Sequence, residues 1–114
     1  MAMRNGLLIL ALATTSCAPW TKQDTVLELA FAGTAGIDWH QTESITGSCM
    51  ELNPMIGRCG DGVPTSIYFP VAIAVHAAIS ACLPRTWRTV FQAFTVGVEA
   101  ATIVANDQEG FEML

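Results

Sequence analysis

Apolar and polar positions along the chain sort into four stretches. Leu7-Leu8-Ile9-Leu10-Ala11-Leu12-Ala13 is a short unbroken apolar run behind Arg4. From Val26 onward apolar residues surround a polar set in which Thr34, Asp38 and Gln41 are offset by four and three, the spacing of one helix face. Residues 67–83 and 89–105 are two more apolar stretches, each of about 17 residues, the lower edge of what crosses about 30 Å of hydrocarbon. The pattern predicts an all-α chain of three helices, at about 25–46, 65–82 and 86–106.

The boundaries have local causes. Asp24 or Thr25 is placed to cap the first helix, Pro64-Thr65-Ser66 opens the second, and Pro84 stops it. Only Leu83-Pro84-Arg85 separates the second helix from the third, so the two are predicted to form an antiparallel hairpin that spans a membrane. Pro70 falls in the first turns of its helix, where a missing donor costs little. Residues 47–64 hold four of the nine glycines together with Pro54 and Pro64 and read as a loop. Within it Asn53-Pro54 starts a single helical turn that Gly57 is placed to end.

Composition sharpens this reading. The chain has 114 residues, enough for one domain, with 52% apolar and 13% charged residues and a mean hydropathy of +0.44. Ordinary soluble domains carry about 25% charged residues, so the deficit points to lipid. The net charge of −5 comes without any basic run, which argues against nucleic acid as a partner.

Residues 1–16 read as a secretory signal, too short to span, and residues 17–114 as one helical, membrane-associated domain. Thr14-Thr15-Ser16-Cys17 approximates a bacterial lipoprotein cleavage site, with Thr14 where an aliphatic residue is expected. Cys17 is therefore the expected lipidation residue, and membrane lipid the expected partner. Arg85 and Arg88 then suit a cytoplasmic turn, with loop 47–64 and the tail bearing Asp107, Glu109 and Glu112 facing the periplasm. The predicted location is the bacterial cell envelope, most readily the inner membrane. With Glu28, Asp38, His40 and Glu43 the first helix is a poor spanning segment, better suited to an interface or to packing on other helices.

Four cysteines in an exported chain suggest disulfides. With Cys17 lipidated, Cys49 and Cys59 are the natural pair and Cys82 an apolar filler inside the second helix. Free thiols are an alternative, and a zinc site from Cys49, Cys59, His40 and Asp38 a weaker one that lacks any Cys-x-x-Cys. No metal or other cofactor is expected. Gln92, Thr95, Glu99, Thr102 and Asn106 form one polar line on the third helix and Tyr68, His76 and Ser80 a comparable one on the second. Asp38, Gln41, His76 and Glu99 are the expected interhelical polar cluster, with His76 and Glu99 sharing an interior face. Such groups either glue helices together by hydrogen bonds or line a proton or ion path. No nucleophile elbow, His-Glu-x-x-His, phosphate loop or dinucleotide fingerprint is present, so no enzyme is expected.

Asp38-x-x-Gln41-Thr42, Glu51-x-Asn53-Pro54-x-x-Gly57, Tyr68-Phe69 and Pro84-Arg85-x-Trp87-Arg88 together resemble the small lipoprotein-like membrane proteins of tailed phages, prophages and their proteobacterial hosts. The resemblance covers about residues 38–99. It implies a signal, a membrane and helices, and no activity to carry over. Two functions follow as expectations. One is a non-catalytic structural or interaction protein of the envelope, acting in superinfection exclusion or lysis through loop 47–64 and an envelope protein partner. The other is a holin-like or small permease assembly, a homo-oligomer using the polar faces of the second and third helices.

Overall fold

The computed structural model describes residues 17–112; the expected signal, residues 1–16, lies outside them. The described residues form three helices and no strand: α1 (Lys22–Gly47), α2 (Thr65–Cys82) and α3 (Arg85–Gln108). The all-α expectation holds, and α2 has the expected bounds.

Helix α1 begins earlier than its apolar pattern does. Thr21, and neither Asp24 nor Thr25, is the cap. Its hydroxyl accepts from the Asp24 N–H at 3.3 Å, while Asp24 Oδ2 accepts from the Thr21 N–H at 2.9 Å. This reciprocal box satisfies two end donors and adds a turn. Helix α3 also gains a residue at its start, because Pro84 alone provides the extended residue that precedes it.

Helix α1 runs from the α2–α3 turn to the loop, antiparallel to α2 and parallel to α3. The cross-contacts fix this register. Glu28 meets Ser80 near one end, and Thr65 donates to Glu43 near the other. On α3, Asp24 meets Arg88 and Gln41 meets Asn106. Helix α1 thus lies along its two neighbours for its full length and is the middle element of the bundle.

Between α1 and α2 the loop makes the expected single turn. The Gly57 N–H donates to the Asn53 carbonyl at 3.0 Å and the Met55 N–H to Asn53 Oδ1 at 3.0 Å. Gly57 ends the turn at φ +79°, where a side chain would be strained and a Cβ would strike Asp61. Cys49 and Cys59 are joined in a disulfide that closes this loop.

Candidate functional site

The bundle is inverted relative to a water-soluble one. Its fully buried side chains include Asp24, Gln41, Ser80, Arg88 and Gln92, whereas Leu29 is 66% and Phe94 69% exposed, with Val71, Val75 and Val104 also facing outward. Among the described residues α2 is the one helix long and apolar enough to cross a membrane, and most of its side chains point away from the protein. Helix α3 does not join it by composition, since Arg85, Arg88, Gln92 and Glu99 interrupt its apolar residues. It turns Arg88 and Gln92 inward.

Two polar regions occupy the interior. The first lies at the α2–α3 turn. Arg88 is fully buried and donates to Asp24 Oδ2 at 2.8 Å, while Arg85 donates to both Asp24 oxygens at 2.7 and 2.9 Å. The other Arg88 nitrogen donates to the carbonyls of Ala18, Ala81 and Leu83, which ties the chain entering α1 to the end of α2. Trp20 covers the guanidinium at 5.4 Å. Burial works against the Asp24 carboxylate, but hydrogen bonds from Arg85, the Thr21 N–H and Arg88 outweigh it and hold the group well below the usual carboxylate range. The sequence pattern offers Asp24 as a cap and Arg85 and Arg88 as a cytoplasmic turn. Their pairing across more than sixty positions has no local signature, although Thr21-x-x-Asp24 was readable as a capping box.

One turn further in, Glu28 accepts from Ser80 at 2.8 Å and from Gln92 at 3.2 Å. His76 comes next, its ring stacked between Phe31 at 3.6 Å and Phe91 at 4.6 Å. Its Nε2 is 2.6 Å from Thr95 Oγ1 and its Nδ1 is 2.7 Å from Glu28 Oε1, the latter without hydrogen-bond alignment. The order carboxylate, imidazole, hydroxyl is that of a hydrolytic triad. The Thr95 hydroxyl also lies 2.8 Å from the Phe91 carbonyl and 3.0 Å from that of Gln92, so the backbone competes with His76 for its proton.

The second region lies under the loop. Gln41, fully buried, donates to the carbonyls of Ile103 at 3.1 Å and Phe111 at 3.2 Å and accepts from Asn106 at 3.0 Å. It therefore holds the chain after α3 against the bundle. Beside it Asp38 of α1 accepts from Thr42 at 3.4 Å and lies against Glu99 of α3. Glu99 Oε2 is buried and receives no hydrogen bond from an N–H or hydroxyl group. Both carboxyls face a cavity of about 460 Å³ whose rim is formed by loop residues and by Glu109 and Phe111.

Of the expected cluster, Asp38 and Glu99 line one cavity, while Gln41 bonds Ile103, Phe111 and Asn106. His76 meets Thr95 of α3 directly and Glu28 of α1, which lies along both helices of the hairpin. Cys82 is exposed at the end of α2 and meets Cys17 through its side chain, so it is not a filler. Cys17 thus sits at the arginine end, opposite loop 47–64. A bundle crossing a membrane cannot place Cys17 and that loop on the same side, so lipidation of Cys17 in the periplasm and a periplasmic loop exclude each other in a spanning arrangement. Among the described residues no group of three His, Cys, Asp or Glu side chains is close enough to hold a metal. No protein-family model, curated protein or solved structure matches this chain.

Proposed function

We propose that this chain is a small, non-catalytic membrane protein of the cell envelope whose three helices insert as one polar-cored bundle. It would present the disulfide-closed loop and the acidic tail on one membrane face as a contact surface for another envelope component. The observation that carries this reading is the inverted distribution of side chains: Asp24, Gln41, Arg88 and Gln92 buried inside, Val, Leu and Phe outside. In water that exterior would be an aggregation surface, whereas in hydrocarbon it is the favourable solvent contact.

The register supplies the depth. The 18 residues of α2 rise about 27 Å, close to the hydrocarbon thickness. Ser80 is level with Glu28 and Thr65 with Glu43, so the slab covers about residues 27–43 of α1 and, by the Asp24–Arg88 and Gln41–Asn106 contacts, about 91–107 of α3. Asp24 and Arg85 fall at its edge. Lys22, Arg85 and Arg88 gather at one end and Asp107, Glu109 and Glu112 at the other, which by the positive-inside rule sets the arginine end in the cytoplasm. The Cys49–Cys59 disulfide belongs on the oxidising side and favours the same orientation. Cys17 then lies in the cytoplasm and carries no lipid. The resemblance to phage and prophage membrane proteins points to superinfection exclusion or lysis as the setting.

A holin-like or permease reading has one observation in its favour, the cavity that reaches Asp38 and Glu99. That cavity adjoins an open groove lined by His76, Phe91 and Thr95, which shares Phe31, Tyr68, Ala72 and Glu99 with it, but neither reaches Asp24, Glu28, Ser80 or Arg88 at the far end of the bundle. Dye leakage from liposomes holding the full-length chain separates the readings. No leakage is expected; leakage that Glu99→Gln abolishes would replace the contact-surface reading with the permease. Labelling with a membrane-impermeant thiol reagent tests orientation. In intact cells Cys49 and Cys59 should label only after reduction, and Cys82 only after permeabilisation.

A further inference from the structure

We infer that the cavity under the loop is a binding site for a small organic cation, an amine or quaternary ammonium with an apolar body. The inference rests on the fold of the bundle and not on its membrane insertion, so it stands or falls separately from the function proposed above. At about 460 Å³ the cavity is of the size that takes small molecules. It is half-enclosed and adjoins an open, more apolar groove with which it shares Phe31, Tyr68, Ala72 and Glu99.

Its chemistry selects the ligand. Asp38 and Glu99 lie in its wall and Glu51 and Glu109 join them in the lining, while no Lys, Arg or His lines it. Acids elsewhere in the bundle have donors: Asp24 has two arginines, and Glu28 accepts from Ser80 and Gln92. Here, beyond the Thr42 hydroxyl on Asp38, the carboxyls have only each other. Like charges held together without a counter-ion repel. Glu99 Oε2 is buried and receives no hydrogen bond from an N–H or hydroxyl group. A positively charged donor seated against this pair supplies what both carboxyls lack.

The rest of the lining excludes a bare metal ion and suits an apolar body. Among the described residues no group of three His, Cys, Asp or Glu side chains could hold a metal, and beside Thr42, Asn53, Thr102 and Asn106 the lining includes Phe31, Ile45, Ile56, Tyr68, Phe69 and Phe111. Phe69 is held rigid, stacked on Trp39 at 5.8 Å and edge-on to Tyr68 at 5.1 Å. Aromatic faces beside carboxylates are the environment in which alkylammonium groups are bound.

The test is titration of the full-length protein in neutral detergent with benzyltrimethylammonium, followed by calorimetry and by the fluorescence of Trp39, with Trp20 and Trp87 replaced by Phe. Saturable one-to-one binding is expected, with benzenesulfonate of similar size not binding and potassium at equal concentration not competing. Glu99→Gln and Asp38→Asn should each weaken binding at least about tenfold, and Glu112→Gln should leave it unchanged. Circular dichroism of each variant verifies that the helices are intact. Absence of saturable binding overturns the inference. So does equal binding to wild type and to both folded carboxyl variants, or displacement by potassium as effective as by the organic cation.

Discussion

The two ends of this bundle bury similar amounts of polar chemistry and use it in opposite ways. At the arginine end every strong charge is answered: Asp24 meets two guanidinium groups and its own helix's capping N–H. At the loop end Asp38 and Glu99 lie against one another in the lining of a cavity that holds no Lys, Arg or His. The first arrangement closes a structure, since removing a partner strands a buried charge. The second leaves a vacancy for a ligand, and its carboxyls contribute little to holding the helices together. Buried charge is thus by itself no sign of either stability or function; whether its counter-charge comes from the same chain decides which.

The largest way to break the comparison is at the arginine end. Arg88→Met should lower unfolding free energy by about 3–5 kcal/mol, the usual cost of orphaning a buried ion, measured by denaturation in detergent micelles. Asp38→Asn, at the other end, should change it by less than about 1 kcal/mol or raise it, because it removes a like-charge neighbour. Acid should reproduce the asymmetry. Asp24 titrates lower in the folded chain than its unfolded value of about 3.9, so its contribution is complete above that value and disappears as pH falls toward the folded one. Wild type should therefore lose stability progressively below about pH 4, and the Asp24→Asn variant should lose less over the same range.

Smaller effects sharpen the loop end. Replacing Cys49 and Cys59 together by Ala should cost about 2–3 kcal/mol by chain-entropy reasoning for a loop of this length, and should expose residues 50–58 to proteolysis while α1–α3 persist. Gln41→Leu leaves the Phe111 and Asn106 groups without their buried partner. It should cost about 1–3 kcal/mol and release the tail, seen as faster amide exchange after residue 108. Thr21→Ala removes half of the capping box, worth about 1 kcal/mol, and should fray only the first turn of α1.

Helix positions were legible because each rests on local signals: apolar runs of helical length, Pro64 and Pro84 as boundaries, Asn53-Pro54 and Gly57 as a turn. The start of α1 was misplaced because the apolar pattern begins at Val26, whereas the box that starts the helix is polar. Asp38, Gln41 and Glu99 were recognisable as interior groups, since ionisable residues in apolar helices have few other places to go. Their pairings were not, because those depend on which helix lies between which. A hairpin of α2 and α3 alone would bring His76 toward Glu99. With α1 inserted along both, Glu28 takes the histidine and Asp38 takes the glutamate. The same insertion carries Cys17 to the arginine end, a consequence invisible from the lipobox itself.

The central claim, a polar-cored bundle with a lipid-facing exterior, is tested most directly by spin-label accessibility in lipid bilayers. Single labels would replace Val71, Val75, Ile79, Phe94 and Val98 in turn, with Cys17 and Cys82 changed to Ser and the Cys49–Cys59 disulfide left oxidised. The account predicts high collision rates with oxygen and low rates with a water-soluble nickel chelate at all five, with depth greatest near Val75. Access of the nickel chelate to all five positions would contradict it, and the inverted exterior would then have to be covered by another protein.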